Sequence, residues 1–331
     1  MTVPIARRKF VVALGGAAAW PLSARAQQVE RMRRIGVLIP GDETDPLHKR
    51  RLSAFTQALA GLSWTEGRNV RIDLRWTGDD INRMRALAVE LVGLKPNIIF
   101  TEATLATVAL QRETQTIPIV FTGVGDPVAS GMVARLDRPS GNVTGFAINE
   151  ATLGGKWLEL LSEIAPDLKR VAIMFDPDTA PVSAYMPSFE TAARSLKVAP
   201  IIAPVHGDAE IETAIIALGR EPGGGLVALS AGLIADRAPI ISAAARNNVP
   251  AVYHVSGMAR EGGLLSYGVD TADNYRRAAS YVDRILRGEK PGDLPVQFPT
   301  KFEMVVNRKT ATALGLAVPP SILLRANEVI E

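Results

Sequence analysis

Residues 34–62 read RIGVLIPGDETDPLHKRRLSAFTQALAGL, and the fold class follows from this stretch. Its first part, Ile35 to Ile39, is a short apolar run that is typical of a strand buried on both faces. Residues 40–45 are turn-forming and helix-capping types. From Asp45 onward, apolar side chains recur at helical spacing on one face: Leu52, Phe55, Leu59 and Leu62. The stretch predicts a buried strand, a loop and an amphipathic helix, which together form the repeating unit of a parallel α/β sheet.

The same unit repeats through the first half of the chain. Strands are predicted over 70–76, 98–101 and 119–122, and helices over 80–94 and 105–115. A helix-like segment over 126–136 leads into SGNVTG (140–145), whose turn-forming residues predict a crossover to a second domain. These elements fit one doubly wound domain.

The alternation starts again after this crossover. Helices are predicted over 153–164, 182–196, 209–218 and 239–248, and strands over 170–175, 200–205, 226–230 and 251–254. A strand (264–269), a helix (271–287) and a proline-rich connector (288–299) follow. This tail does not resemble a third domain, so we expect it to complete the sheets of the first two. The predicted fold is α/β, with two doubly wound parallel-sheet lobes.

The first 26 residues have the three parts of an export signal. Arg7-Arg8-Lys9 is a charged start, residues 11–23 are uncharged, and Ala24-Arg25-Ala26 is a small-residue end. The paired arginines favour the twin-arginine route. The uncharged stretch is well below the roughly 20 residues that a membrane-spanning helix needs. We predict cleavage near Ala26/Gln27 and a soluble periplasmic protein that is long enough for two domains.

Removing this segment changes the charge of the chain. The whole sequence has 37 Lys and Arg against 34 Asp and Glu, and residues 1–26 hold four of the basic residues and no acidic one. The remainder has 33 basic against 34 acidic residues, a formal charge of −1. A nucleic-acid partner is not expected, because no basic excess remains to neutralise phosphates. The two local basic runs, Arg31–Arg34 and His48–Arg51, are interpreted as a solvated start and a solvated helix face.

The chain contains no cysteine, which excludes several kinds of chemistry. It can form no disulfide and no thiolate metal site, and it has neither a cysteine nucleophile nor a cysteine that could be lipidated at the cleavage point. The three histidines, His48, His206 and His254, lack the spacing of metal ligands. We therefore expect neither a metal ion nor a cofactor.

Open parallel sheets bind ligands at the carboxyl ends of their strands, so the loops between strands and helices are the candidate binding segments. These loops are predicted at 40–45, 101–104, 123–127, 176–180, 230–232 and 254–257. They are rich in hydroxyl groups, glycines and acids and poor in basic residues. Such loops suit a small polar or zwitterionic molecule, although the same residue types are also ordinary in helix caps and turns.

Two catalytic or metal motifs in these loops are incomplete. Gly123-x-Gly125 follows a strand, as in a dinucleotide site, but Val128 occupies the position of the third glycine. Asp176 and Asp178 could chelate a cation, yet acids that flank a proline more often shape a turn.

A serine hydrolase is the enzymatic alternative. ALSAG (228–232) resembles a nucleophile elbow in which Ala228 replaces the first glycine. Ser230 would need His254 as its base, and His254 is more simply interpreted as a strand-end residue. The motif is too weak to predict an enzyme, and the hydrolase stays open as an alternative.

Short motifs are spread over the chain after residue 26. They are GRNV (67–70), IPIVF (117–121), GDPV (125–128), GNVTG (141–145), GVD (268–270), ILRGEKP (285–291), NRKTA (307–311) and ALGL (313–316). Together they resemble the motifs of the substrate-binding proteins of ABC transporters and, more narrowly, those of the branch that includes tryptophan- and phenylalanine-binding receptors.

The resemblance implies a type I periplasmic binding protein, in which two lobes joined by three crossovers close on a ligand as a hinge. The hinge strands would lie near 143–147, 264–269 and 297–302. The first lobe would comprise 31–145 plus 268–292, and the second 146–267 plus 293–331. The implied function is that of a monomeric receptor which captures an amino acid or related organic solute for an ABC permease in the inner membrane. A ligand sensor for a membrane signalling protein is a further alternative.

The resemblance also implies which residues contact the ligand. They are Pro40, Thr101, Ala103, Thr104, Gly125, Asp126, Asp176, Asp178, Thr179, Ala180, Ser230, Ala231 and Asp270. In amino-acid-binding relatives, hydroxyls and backbone N–H groups hold the carboxylate while an acid meets the ammonium. Asp270 is the candidate acid, with a structural hydrogen bond at the hinge as the alternative. Glu102 stands where relatives often carry a small polar residue.

Overall fold

A computed structural model describes residues 32–78, 80–177, 182–229 and 237–331. The export signal, its cleavage point and Arg31 lie outside the described residues. Within the described ranges, no helix has both the length and the apolar character that a membrane crossing requires.

The first lobe is a parallel sheet with helices on both faces. Its strands pair in the order β2-β1-β3-β4-β5, each parallel to its neighbour. The elements are β1 (Arg33–Ile39), α1 (Pro46–Gly61), β2 (Val70–Trp76), α2 (Ile81–Gly93), β3 (Ile98–Glu102), α3 (Thr104–Glu113), β4 (Ile119–Val124) and β5 (Val143–Ala147).

The second lobe contains a larger sheet, with strand order β12-β11-β10-β9-β8-β6-β7. The elements are α4 (Leu153–Ile164), β6 (Arg170–Phe175), α5 (Met186–Leu196), β7 (Ala199–Pro204), α6 (Asp208–Gly219), β8 (Gly224–Ala228), α7 (Arg237–Arg246), β9 (Ala251–Tyr253), α8 (Ser256–Arg260), β10 (Leu265–Val269), α9 (Thr271–Leu286), β11 (Phe302–Asn307), α10 (Arg308–Ala313), α11 (Pro320–Arg325) and β12 (Glu328–Ile330). Of these elements, α9 packs on the first lobe, against α1 and β3 to β5.

The chain crosses between the sheets three times: after β5, after β10, and between α9 and β11. The third crossing is attached to the first, because the N–H of Ala147 donates to the carbonyl of Gln297 at 2.9 Å and the N–H of Gln297 donates to that of Gly145 at 3.0 Å. It is attached to the second through the N–H of Asp270, which donates to the carbonyl of Lys301 at 3.0 Å. The predicted two-lobe α/β fold with three crossovers is confirmed.

The tail completes one sheet rather than both, which corrects the expectation from the sequence. Strands β10, β11 and β12 all join the second sheet, whereas the first sheet receives the cover of helix α9 and a single bridge between Phe146 and Gln297. The pair β10–β11 is antiparallel, with Leu265 opposite Val306. The proline-rich connector explains this direction, because it returns the chain to the second lobe from the side of the first.

The interpretation of residues 48–51 as a solvated helix face is wrong for two of the four residues. In α1, Lys49 and Arg50 are exposed, but His48 and Arg51 are only 5% and 4% exposed. Helical spacing is the reason, because Arg51 lies four residues before the buried Phe55 and shares its face.

The segment from Asp126 to Leu136 is a series of turns and not the predicted helix. The carboxylate of Asp126 accepts the N–H groups of Val128 and Ala129 at 3.1 and 2.9 Å, as a helix cap would. Gly131 then adopts a φ of +69°, which ends the turn before a helix can propagate.

Candidate functional site

Loops at the carboxyl ends of the two sheets contact each other. Asp45, which caps α1 after β1, pairs with Arg237 at the start of α7 after β8, with Oδ2 and Nη2 3.0 Å apart. Leu47 lies beside α8, since a Cβ built on Gly257 would be 3.8 Å from Leu47 Cδ2. The strand-end loops of both lobes therefore border the same space.

Among the predicted contact residues that the structure describes, Ala103 has a strained backbone. It connects β3 to α3 with φ 71° and ψ 158°, a region that only glycine occupies freely and that costs another residue about 1–3 kcal/mol. Neighbouring groups hold it there: its N–H donates to Thr122 O at 2.9 Å, and its carbonyl accepts the Thr107 hydroxyl at 2.8 Å. The kink brings the N-terminus of α3, with its unpaired N–H groups, to the carboxyl end of β3 at Thr104.

The other predicted contacts of the first lobe differ in accessibility. Thr101 is fully buried, and its hydroxyl donates to Leu38 O at 2.9 Å within the sheet. Pro40, Thr104 and Gly125 are half-buried, and Asp126 is exposed at the turn that it caps. Thr101 lies near the end of β3 and the others follow β1, β3 or β4, so the structure brings them to one end of the sheet.

Asp270 has its carboxylate engaged with protein groups. It caps α9, where Oδ1 accepts the N–H of Asp273 at 3.0 Å and Oδ2 lies 3.2 Å from Arg276 Nη2. These contacts are the hinge hydrogen bonds of the alternative interpretation. A role for Asp270 toward an ammonium group stays a prediction.

The second lobe contributes fewer described residues to the site. Asp176 is half-buried at the end of β6. Five further predicted contacts lie outside the described residues: Asp178, Thr179, Ala180, Ser230 and Ala231.

A buried polar cluster lies beneath the loop that follows β3. Glu102 accepts hydrogen bonds on both carboxylate oxygens, from Arg51 Nη1 at 2.9 Å and from the Tyr275 hydroxyl at 2.7 Å. Arg51 also donates from Nε to the hydroxyl of Thr271 at 2.8 Å. Burial, together with the charge of Glu102, raises the pKa of Tyr275 well above its usual value. The cluster joins α1, the end of β3 and the start of α9.

His254 lies at the end of β9, on the side of the second lobe. Burial lowers its pKa to about 4; the nearby Ala228 carbonyl acts in the opposite direction, and the positive charge of Arg51 adds to the lowering. The imidazole is therefore neutral at pH 7. Trp157 packs edge-on against it, with ring centroids 6.4 Å apart, and also contacts Tyr185 at 5.0 Å.

The sequence model of a family described as ABC transporter substrate binding protein matches residues 37–330. The chain belongs to this family. It is 26% identical over 290 residues to the tyrosine-binding protein of Clostridioides difficile, which covers 87% of this chain and 82% of that protein.

Comparison with solved structures shows the same fold. A conserved domain protein from Vibrio cholerae is 27% identical, with a TM-score of 0.81 over 90% of this chain and 100% of its own. An ABC domain in complex with L-Trp from Streptococcus pneumonia is 23% identical, with the same TM-score of 0.81 and the same coverage. The type I periplasmic binding fold expected from the sequence is confirmed.

Substrate-binding proteins bind small solutes and work with a membrane permease; they are not enzymes. Family membership does not favour the hydrolase or the sensor alternative. Of the two hydrolase residues, Ser230 lies outside the described residues and His254 is a strand-end residue packed on Trp157. In the described part of the chain, no three His, Asp or Glu side chains are grouped as metal ligands.

Sequence reasoning missed Arg51, Asp45 and Arg237 as residues of the site region. For Arg51 a signal was present, because Arg51, Phe55 and Leu59 are spaced four apart and so share one face of a helix. For the pair of Asp45 and Arg237 no local signal exists, since 192 positions separate them.

Proposed function

We propose that this substrate-binding protein is the receptor of an ABC uptake transporter, which captures an amino acid or a closely related solute between its lobes by hinge closure. The observation that carries the proposal is the meeting of strand-end loops from two mainly parallel sheets, with Asp45 and Arg237 in contact between the lobes. Carboxyl ends of parallel strands are where open α/β sheets bind ligands. Three crossings side by side at one end of the lobes suit a hinge.

Two observations support an amino acid as the ligand. The relative from Clostridioides difficile is a tyrosine-binding protein, and the structure from Streptococcus pneumonia contains L-Trp. At the cleft, the N-terminus of α3 at Thr104 offers N–H groups to a carboxylate. The thirteen loop residues implied by the resemblance, from Pro40 to Asp270, are the proposed contact set, and the lobe boundaries given above are the proposed domains.

The cellular part of the proposal follows from the same family. Its members are periplasmic or extracytoplasmic binding proteins. We infer that residues 1–26 direct export, that the protein works in the periplasm as a monomer, and that it delivers its solute to a permease in the inner membrane.

Native mass spectrometry and calorimetry test the proposal. We expect the purified protein to carry, or to bind one-to-one, a member of a panel of L-tyrosine, L-tryptophan, L-phenylalanine, aliphatic amino acids and sugars. At a hundredfold excess over Kd, a ligand should stabilise the fold by about 2.7 kcal/mol in thermal unfolding.

A matched pair of variants locates the site. Thr104→Val should weaken binding of the ligand severalfold, because it removes a hydroxyl from the proposed contact set. Thr312→Val makes the same change on the exposed face of α10 and should leave Kd unchanged. A protein that binds no panel member, or equal Kd values for both variants and the wild type, would contradict the proposed function or the proposed site respectively.

A further inference from the structure

A charged contact joins the lobes at the N-terminus of α1. Asp45 Oδ2 lies 3.0 Å from Arg237 Nη2, and their side chains are only 16% and 14% exposed. Arg237 also pairs within its own lobe, through Nε and Glu261 Oε2 at 3.2 Å. We call the Asp45–Arg237 contact the inter-lobe ion pair. Because its two members belong to different lobes, it can form only when the lobes are together.

Asp45 is held in place by its own helix. Its second oxygen, Oδ1, accepts the N–H of Leu47 at 2.7 Å and so caps α1. Burial raises its pKa, but the Leu47 N–H and the Arg237 guanidinium outweigh burial and lower the pKa overall. The carboxylate is thus ionised and oriented before the lobes meet, and little ordering is needed to form the ion pair.

Arg237 gains less than a full set of partners from this contact. Its Nη1 is buried without a hydrogen-bond partner among the described residues. Separation of the lobes would let water reach this nitrogen. The closed arrangement therefore gains the ion pair but leaves one buried nitrogen without a hydrogen bond. Because the gain and the cost partly offset each other, the ion pair favours the closed arrangement without making it permanent.

Other contacts between α1 and the second lobe are weaker. Arg50 lies 3.5 Å from Glu303 of β11, but its side chain is 54% exposed and Arg260 already holds Glu303 at 2.6 Å. Leu47 touches the Gly257 region without a polar contact. Among the described residues, the inter-lobe ion pair is therefore the shorter and more buried of the two charged contacts between the region of α1 and the second lobe.

We propose that the inter-lobe ion pair sets the proportion of closed molecules, and thereby the ligand affinity and release rate. This rests on the proposed function, in which the lobes close around a solute. Apparent affinity falls in proportion to the fraction of binding-competent molecules, so a change in closure alone changes Kd. Asp45 and Arg237 would then be positioning residues, which affect ligand binding by setting how the lobes are arranged.

The test measures the distance between the lobes in the absence of ligand. The chain has no cysteine, so Arg85→Cys in α2 and Ala209→Cys in α6, both exposed, would carry spin labels at known places. On this background the variants are Asp45→Asn, Arg237→Gln and the two combined. Asparagine keeps the cap of α1 while it removes the charge. Glu212→Gln, which breaks an exposed pair with Arg246 inside the second lobe, is the control.

We expect Asp45→Asn and Arg237→Gln to lengthen the mean distance, the double variant to equal the single ones, and Glu212→Gln to match the wild type. Titration with L-tyrosine, or with the panel member that binds, should give Kd three- to tenfold higher for Asp45→Asn, mainly through faster dissociation. Raising the salt concentration should lengthen the distance in the wild type more than in Asp45→Asn.

Unchanged distances in both single variants would overturn the proposal, and so would effects of Asp45→Asn and Arg237→Gln that simply add. The experiment distinguishes a failure of the proposed function from a failure of the role proposed for the ion pair. A wild type that binds no solute contradicts the proposed function, whereas the ligand-free distances still decide the role of the ion pair.

Discussion

Two of the contacts between an acid and an arginine at helix α1 and its N-cap differ in what they connect. Arg51 and Glu102 meet inside the first lobe, with side chains 5% and 13% exposed and with Thr271 and Tyr275 as further partners. Asp45 and Arg237 meet between the lobes, where they are 16% and 14% exposed. Similar chemistry and burial therefore serve two purposes. The first contact holds three elements of one lobe together, and the second holds the lobes together.

The difference has a consequence for unfolding. Removing one partner of a buried pair leaves an uncompensated charge in the protein interior, which costs about 3–5 kcal/mol. An ion pair between bodies that can separate leaves its members free to regain water, so its loss should affect the lobe arrangement far more than the stability of either lobe. Variants of the two contacts can show whether this division holds.

The largest expected effect is that of Glu102→Ala. It leaves Arg51 without its acid and the Tyr275 hydroxyl without its acceptor, so we expect the free energy of unfolding to fall by about 3–5 kcal/mol in urea titrations. Asp45→Asn, which keeps the cap, should change it by less than about 1 kcal/mol. The control Glu212→Ala, in an exposed pair, should do the same. Equal decreases in the free energy of unfolding for Glu102→Ala and Asp45→Asn would show that the two contacts do not differ in this way.

The second effect concerns pH and tests the burial of His254, whose pKa the charge of Arg51 also lowers. The pKa of His254 is lowered to about 4 in the folded protein, whereas an unfolded histidine titrates near 6.5. The unfolded chain thus binds more protons between these values, and stability should be complete above pH 6.5 and fall as the pH drops toward 4. Allowing for the partial solvent contact of the side chain, we expect a loss of about 2 kcal/mol.

His254→Asn should remove that loss, while the same change at the exposed His206 should leave it in place. Urea unfolding at several pH values between 4 and 7 provides the measurement. An identical pH dependence in the wild type and in His254→Asn would show that the histidine does not contribute.

The smallest effect has the opposite sign and lies next to Glu102. Ala103→Gly relieves a backbone conformation that costs about 1–3 kcal/mol, against about 0.5–1 kcal/mol for the extra freedom of glycine in the unfolded chain. We expect a gain of about 1 kcal/mol in unfolding free energy. Ala245→Gly, within helix α7, should instead lose up to about 1 kcal/mol. A loss at both positions would mean that Ala103 carries no strain.

Most of the fold could be predicted from local patterns. The apolar run at 35–39 and the helical spacing of Phe55 and Leu59 each depend on neighbours within a few residues, and both appear as β1 and α1. The predicted helix at 126–136 failed because a capping aspartate alone does not propagate a helix past Gly131. The direction of β11 could not be predicted, since strand pairing depends on where a connector returns the chain.

Less of the candidate site could be predicted. In the described part of the chain, the predicted loops after β1, β3, β4 and β9 do connect strands to the segments that follow them, and their role in binding stays a prediction. The burial and the hydrogen-bond partners of each side chain could not be predicted. Thr101 is buried in the sheet, and Asp270 caps a helix. Which groups face a ligand depends on hydrogen bonds between distant elements, and no spacing in the sequence encodes those.

The sequence by itself determined the alternation of strands and helices, the two-lobe class and the family, because periodicity and short motifs are properties of neighbouring residues. The tertiary structure decided the partners of Arg51, which lie 51 and 220 positions away at Glu102 and Thr271. It also decided the contact of Asp45 with Arg237, 192 positions away. Arg51 and Glu102 meet because the first lobe folds, whereas Asp45 and Arg237 meet only when the crossovers have set one lobe against the other.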